Sequence, residues 1–520
     1  MFMNRRDFCK ATFTSAAAVG VLPSVSSRSF AAEKGILRGK DIPAVKLSGE
    51  ATVIPALAVR EFAANLRGRV ITASDPDYDQ ARRIWNRMID RRPALIVRCS
   101  GAADVQRAVA FARERELLLA VRGGGHSFPG YSMCNGGVVI DLSALMGVRV
   151  DPANKSAQVA GGAWIGDLDW ESQQYGLATP MGRVSNTGVG GLTLGGGYGR
   201  LSRLHGLACD NLIGADLVTA DAQLLRVSAT ENPDLFWAIR GGGGNFGVVT
   251  HFEFQLHAVG PQVLAGGLTY APSQLRAVLE HCAELAPYAP RELMLDLAVI
   301  ADERGVRTPY IMFCFAGPAQ RGEDVLQSFR AATKPRHDDV RARDYVALQK
   351  EGDGPALAEK AVFSRAGYVE ELTPALIDAV IQEPGTIALI LGGGAIADIA
   401  PTDTALAHRS EEFLLQITAE WQDASQNDQK RAEVHAAWDR LSPFTKGFYS
   451  NLTNADQKSI EDNLGPNRAR LLRIKQQFDP DNLFRLNANI QLDARDGYPY
   501  RESGVSESRI GWSGSTSLRP

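Results

Sequence analysis

The sequence predicts an α+β protein built in two parts, and three observations carry that prediction. Up to about residue 261, short β-like runs mix with a few helical ones and show no clean β-α-β alternation, which argues against a doubly wound sheet. From about Gln262 onward, longer strand-like runs and amphipathic helices follow one another, the pattern of an antiparallel sheet with helices on one face. The 51 glycines of the 520 residues gather in clusters, which marks loops where backbone approaches a ligand.

Taken in order, Gly35–Ala94 reads as a lead-in with some helix. Within it, "RIWNRMIDRRP" has helical apolar spacing and should end at Pro93. "ALIVRCS" is a short strand, and "GAADVQRAVAFARERE" a helix with Val105, Ala108, Val109 and Ala112 on one stripe. "LLLAVRGGGHS" is a strand that runs into a glycine loop, and "GGVVIDLSAL", "GVRVDPANKSAQVAGGA" and "GADLVTADAQLLRVSA" are strands with turns at Pro, Asn and Asp. In the second part, "VLAGGLTYAPSQLRAVLEHCAELAPYAP" joins a strand to a helix and "ELMLDLAVIADERGVRTPYIMFCFAG" is a hairpin. "RGEDVLQSFRAA" is a helix, "GTIALILGGGAIADIAP" a strand region, and the closing helix stops at Asp479-Pro480. No repeat of 20–50 residues is visible.

Composition narrows the functional classes. A formal net charge of -3 gives no nucleic-acid footprint. No run of about 18 apolar residues follows the N-terminus, so no membrane span is expected. The N-terminal "NRRDFCK", the mildly apolar "ATFTSAAAVGVLP" and a small-x-small site at Ser29-Phe30-Ala31 resemble a twin-arginine (Tat) export signal over residues 1–31, implying a periplasmic or secreted protein that loads a cofactor before export. Six cysteines, at 9, 99, 134, 209, 282 and 314, show no C-x-x-C spacing, so zinc and thioredoxin-like readings fail; most read as buried thiols, and a disulfide pair stays open.

Four segments carry the chemistry: "VRGGGHSFPG" from Val121, "SNTGVGGLTLGGGYGRLSRLHGLACDNL" from Ser185, "FWAIRGGGGNFGVVTHFEF" from Phe236 and "FDPDNLFRLNANI" from Phe478. Glycines let amide N–H groups point into one concavity, which suits a pyrophosphate. Three such clusters suggest one extended ligand threaded between loops, and a dinucleotide fits. There is no G-x-x-x-x-G-K-[ST], H-E-x-x-H or G-x-S-x-G, which argues against an NTPase, a zinc protease and an ordinary serine hydrolase.

Together with "FYSNLTN…NRARLLRIKQQFDPDNLFRLNANI", these segments resemble the FAD-linked oxidases of the vanillyl-alcohol-oxidase type with a PCMH-type FAD-binding domain, and more narrowly the berberine-bridge-enzyme-like group, over roughly residues 94–490. The resemblance implies a PCMH-type FAD domain at 32–261, an antiparallel-sheet substrate domain at 262–425, a berberine-bridge-like segment at 426–495 that returns to the FAD domain, and a tail at 496–520. It implies FAD held by Arg122, Gly123, Gly124, Gly125 and Ser127, by Thr187, Gly188, Gly191, Gly195 and Gly196, by Asn245, Gly247 and Val249 at the adenine and ribose end, and by Asn487 and Asn489. It makes His126 the covalent flavin anchor. Members with a second, cysteine anchor carry it where Val184 stands here, so a single attachment through His126 is expected. Thr187 stands where a small side chain favours oxygen access, and so an oxidase. Tyr449 matches a substrate-facing tyrosine, as base or clamp, with Asn451 two residues on and expected on the same side of a strand. His408, Tyr131 and Trp438 are weaker pocket candidates.

The activity so implied is hydride transfer from a C–H of an alcohol or amine, a small-molecule substrate, to flavin and then to molecular oxygen, giving peroxide. A dehydrogenase with another acceptor, and a non-catalytic flavin-binding protein, stay open beside it. Substrate identity and oligomeric state are not readable from the sequence.

Overall fold

The structure, a computed structural model, describes residues 40–492 apart from 303, 354–359, 454–459 and 462. The expected export signal (1–31) and tail (496–520) lie outside the described residues.

The first sheet has four strands, β1 (Arg69–Ile71), β2 (Leu95–Arg98), β3 (Leu119–Arg122) and β4 (Val138–Asp141), in the order β1-β2-β4-β3. Both β2 and β3 run parallel to the central β4, whose four residues are all buried. This local parallel pairing was not expected from the sequence. It follows from the helix α1 (Ala102–Glu114), which joins β2 to β3 as a crossover and buries Val105, Ala108, Val109 and Ala112 as its spacing predicts. The second sheet is antiparallel: β5 (Val148–Asp151), β6 (Ser156–Ala160), β7 (Leu212–Val218), β8 (Leu224–Ser228) and β9 (Val248–Gln255), ordered β8-β7-β9-β6-β5.

The third sheet has eight strands and begins at Gln262. They are β10 (Gln262–Thr269), β11 (Leu293–Ala301), β12 (Arg307–Phe315), β13 (His337–Asp338), β14 (Arg341–Asp344), β15 (Ala361–Val369), β16 (Thr386–Leu391) and β17 (Phe413–Trp421). The order is β13-β10-β12-β11-β16-β17-β15, with β14 also paired to β10, and every pairing is antiparallel. The two-residue period sorts its side chains. Leu293, Leu295, Leu297 and Val299 of β11, and Ile311, Phe313 and Phe315 of β12, pack into one core with Leu279 and Cys282 of the helix Leu275–Leu285 and Leu326 and Phe329 of the helix Ala319–Ala332. The alternate residues Tyr310 and Met312 of β12, Ile390 of β16 and Gln416 of β17 face the other way, into a cavity.

"RIWNRMIDRRP" does not form the expected helix. The nearest helix, Tyr78–Ala81, ends before it, and the segment itself is irregular throughout. Its polar side chains have better tertiary partners than an exposed helix face would offer. The buried Asn86 amide donates to the carbonyls of Phe128 and Val362, both at 2.8 Å, and Arg91 donates to the carbonyls of Gly130 and Met133. The segment thus ties the glycine loop after β3 to the eight-stranded sheet.

The closing helix (Arg468–Phe478) ends on Asp479. The Asp479 carboxylate accepts from the amides of Leu483 and Phe484 and from Lys475 Nζ at 2.7 Å, all within the core. That knot turns the chain back so that Phe484–Ile490 returns to the first two sheets.

Candidate functional site

A cavity of about 730 Å³ lies between the glycine loops and the free face of the eight-stranded sheet. Gly123, Gly124, Gly125, His126 and Ser127 form one wall, and Thr187, Gly188, Gly191 and Gly195 a second. Gly247, Val249 and Asn487 close a third side. The first two loops touch backbone to backbone: a Cβ on Gly124 would sit 2.5 Å from the Cα and N of Gly188. Only glycine permits that approach, and it brings two rows of amides to one concavity.

His126, half-buried, stacks on the half-buried Trp85, with ring centroids 4.5 Å apart and 19° between planes. Its Nε2 lies 3.2 Å from Asn186 Oδ1, an acceptor that suits a ring hydrogen there. Asn186 is held in turn: its amide donates to Asp353 at 3.2 Å, and the neighbouring Ser185 hydroxyl bonds the same carboxylate. Burial pushes the imidazole down to about 4, against the opposing pull of the Asn186 bond. The ring is therefore neutral at physiological pH, the nucleophilic form.

Tyr449 and Asn451 do meet, but not on a strand. A turn closes there, with the Leu452 amide donating to the Tyr449 carbonyl at 3.1 Å. The Asn451 amide donates to the Tyr449 oxygen at 2.9 Å and to the Leu192 carbonyl at 3.0 Å. The backbone amides of Gly197 and Tyr198 donate to the same phenolic oxygen at 3.0 and 3.3 Å. Two opposing effects act on this hydroxyl. Burial raises its pKa, and the three donors lower it; burial prevails, so Tyr449 is a neutral phenol at rest. Three N–H donors on one oxygen nonetheless suit a developing phenolate.

The remaining predicted residues divide by position. Asn245 is fully buried; its amide donates to the carbonyls of Gly242 (2.8 Å) and Ala488 (3.0 Å), and its oxygen accepts from the Ile490 amide (3.0 Å). It fastens the third glycine loop to the returning C-terminal segment. Asn487 lines the cavity and Asn489 is buried nearby; the side-chain oxygen of each has no partner. The Arg122 guanidinium turns away from the cavity, under Gly125, and donates to the Ala81 carbonyl. Gly196, at φ +114°, passes behind the Tyr449 ring. Val184 and Tyr131 line the cavity. His408 does not: it bonds Glu411 at 2.9 Å and stacks on Tyr368. Trp438 packs under Gly367 against the helix-covered core. The five described cysteines, Cys99, Cys134, Cys209, Cys282 and Cys314, are free and buried. Trp85, Asn186, Tyr198 and Arg200 also belong to the site, and the sequence reading missed them as functional. A tryptophan in the wrong secondary structure, and an arginine inside a glycine-rich motif, gave no periodic signal.

These features suit FAD. The paired glycine loops admit a pyrophosphate, the cavity exceeds a single small ligand, and the unpaired oxygens of Asn487 and Asn489 match a ring or sugar donor.

The comparisons agree on the class. A family model described as FAD binding domain matches residues 93–228, and one described as berberine and berberine like matches residues 448–491. The fold and site are those of an FAD-linked oxidoreductase. An FAD-linked oxidoreductase of Dictyostelium discoideum is 33% identical over 446 residues, covering 83% of this chain and 96% of the relative. The (R)-6-hydroxynicotine oxidase of Paenarthrobacter nicotinovorans is 33% identical over 450 residues, 82% of this chain and 97% of its own length. The crystal structure of 6-hydroxy-D-nicotine oxidase from Arthrobacter nicotinovorans superposes with a TM-score of 0.76 at 28% identity, over 82% of this chain and 98% of that one. A xylooligosaccharide oxidase from Myceliophthora thermophila shares the fold, with a TM-score of 0.76 at 24% identity over 84% and 99% of the two chains. The chain belongs to the berberine-bridge-enzyme-like FAD-linked oxidoreductases. Among the described residues, no helix is long and apolar enough to cross a membrane.

Proposed function

We propose that the protein is an exported oxidase with FAD attached through His126 alone, acting on an alcohol or amine and using molecular oxygen. The observation that carries this reading is the convergence of a neutral, stacked His126, Thr187 and Tyr449 on one cavity. When bound, FAD accepts hydride from a substrate C–H and passes the electrons to an acceptor. The chain's own residues do the rest. The loops at Gly123–Gly125 and Gly188–Gly191 hold the phosphates, and Asn487 and Asn489 receive donors through their unpaired oxygens. His126 is oriented by Trp85 and Asn186 and kept neutral by desolvation, so one of its ring nitrogens keeps a lone pair for the bond to flavin carbon. Val184, in place of a second anchoring cysteine, supports single attachment.

Tyr449 holds the substrate oxygen or nitrogen through its O–H. Its three donors lower the cost of phenolate character when a proton is drawn from the substrate. Thr187 lines the cavity at the position where, by the family resemblance, a small side chain goes with oxygen access, and this supports the oxidase reading. Export is supported by the twin-arginine segment alone.

The test is direct. Purified protein should be yellow, keep its flavin through acid precipitation, lose that retention in His126→Ala, and release peroxide with substrate. Flavin extracted quantitatively by acid from the wild type rules out the covalent link. Anaerobic bleaching by substrate without peroxide on re-aeration favours the dehydrogenase instead. Fractionation of the producing cells tests export.

A further inference from the structure

Three arginines line the cavity: Arg183, Arg200 and Arg343. Two of them have a carboxylate in direct contact. Arg183 pairs with Asp296, and Arg343 pairs with Glu351 and, at 2.6 Å, with Asp339. Arg200 does not. It is 6% exposed, and its acceptors are the Gln349 amide oxygen at 2.9 Å, the Met312 thioether at 2.9 Å and the Leu348 carbonyl at 3.3 Å. A guanidinium carries five N–H bonds, and a thioether is a weak acceptor. A buried charge without a counter-ion is costly, so such a group is usually completed by something.

The surroundings hold this guanidinium in place and neutralise it only in part, without a carboxylate bonded to it. Gln349, fully buried, accepts from Arg200 through its oxygen and donates through its nitrogen to Asp169 at 3.2 Å and to the Gly182 carbonyl at 3.0 Å. Asp169 stands one residue behind, and burial pushes its carboxyl up to about 7, so it supplies only part of a negative charge at neutral pH. Asp296, buried and opposite Met312 on the neighbouring strand, is bonded to Arg183; burial raises its carboxyl and the charges of Arg183 and Arg200 oppose that, so it is a second, shared carboxylate near Arg200 but not in contact with it. The rest of the wall near Arg200 is aromatic or apolar, from Tyr198, Tyr310, Met312, Leu348 and Ile390.

We infer that Arg200 is a specificity residue that receives a carboxylate of the substrate, and that the substrate is therefore an organic acid on an aromatic or apolar skeleton. The inference rests on the oxidase reading for calling the ligand a substrate, but the recognition itself does not need turnover. A planar guanidinium on a carboxylate makes paired, charge-assisted bonds. Met312 gives up only a weak contact when they form.

The experiment compares matched ligands on the flavin-loaded enzyme. Binding of benzoate, phenylacetate and cinnamate, and of the corresponding primary amides, is measured by isothermal titration without oxygen. The carboxylates should bind at least about tenfold tighter than the amides. Arg200→Met should bring each pair to within about twofold, and Arg200→Lys should keep part of the preference. Circular dichroism checks that the variants fold; if the methionine variant does not, the lysine variant and the wild-type preference still decide. Amides that bind as tightly as carboxylates in the wild type, or a preference that survives Arg200→Met, overturn the assignment. An enzyme that prefers carboxylates yet is never reduced by any of a wide set of acidic alcohols and amines would sink the oxidase reading and leave this one standing. Turnover of neutral substrates with no preference between the pairs would do the reverse.

Discussion

Trp85 lies flat on His126, with 4.5 Å between ring centroids. This contact links a segment whose sequence spacing suggested a helix to the residue proposed to carry the flavin, and it sets the orientation of the imidazole. Trp85→Ala removes one face of that support. A stacked pair is worth about 0.5–1.5 kcal/mol beyond its buried area, so the protein should still fold. The fraction of flavin that survives acid precipitation should fall, with total flavin less affected. An unchanged covalent fraction would show that Asn186 alone orients the ring.

Tyr449→Phe removes the oxygen that three N–H groups share. The amides of Gly197 and Tyr198 are then left without their acceptor, at a cost of about 1–3 kcal/mol. Catalysis should suffer more than stability: kcat/KM should drop about 100-fold or more, with flavin content unchanged. Steady-state kinetics beside a thermal melt separate the two effects. A rate within a few-fold of wild type would demote Tyr449 to a packing residue.

Asp169 gives a pH dependence with a defined sign. Its carboxyl is raised from 3.8 to about 7 by burial, with Gln349 and Arg200 opposing. Below about pH 4 it is protonated in both the folded and unfolded chains and contributes nothing. Between there and about 7 the unfolded chain ionises first, so stability falls as pH rises. Asp169→Asn should abolish that component: its melting temperature should gain on the wild type as pH goes from 4 to 7. Parallel curves for the two proteins would refute the shift.

Lys475 and Asp479 form an ion pair at 2.7 Å with both side chains fully buried. Lys475 also donates to the carbonyls of Asn245 and Phe484, so one cation joins the third glycine loop to the C-terminal return. Lys475→Met leaves Asp479 buried without its cation, and should cost about 3–5 kcal/mol. Denaturant unfolding measures this, and flavin loading should fall with it, because Asn487 and Asn489 sit on the segment so fastened.

Much of this protein was legible in its sequence where the signal is local. Glycine runs mark close backbone approach, a two-residue alternation marks strands with one face buried, and the stripe Val105, Ala108, Val109, Ala112 marks a helix; each depends on a few neighbouring residues, and the structure shows all three. The family's motifs placed His126, Thr187 and Tyr449, and these line one cavity. What only the tertiary structure decided depends on partners far along the chain. Trp85 was expected on a helix, but Asn86 and Arg91 beside it bond to carbonyls 38 or more positions away, which helix propensity does not foresee. Tyr449 and Asn451 share a side because a turn closes between them, and no strand period applies there. Arg122, next to the glycines, faces Ala81, whereas Arg200, unremarked among its neighbours, faces the cavity without a carboxylate bonded to it. The direction of a side chain and the identity of its counter-charge are set by what packs around it, and a one-dimensional pattern does not contain that.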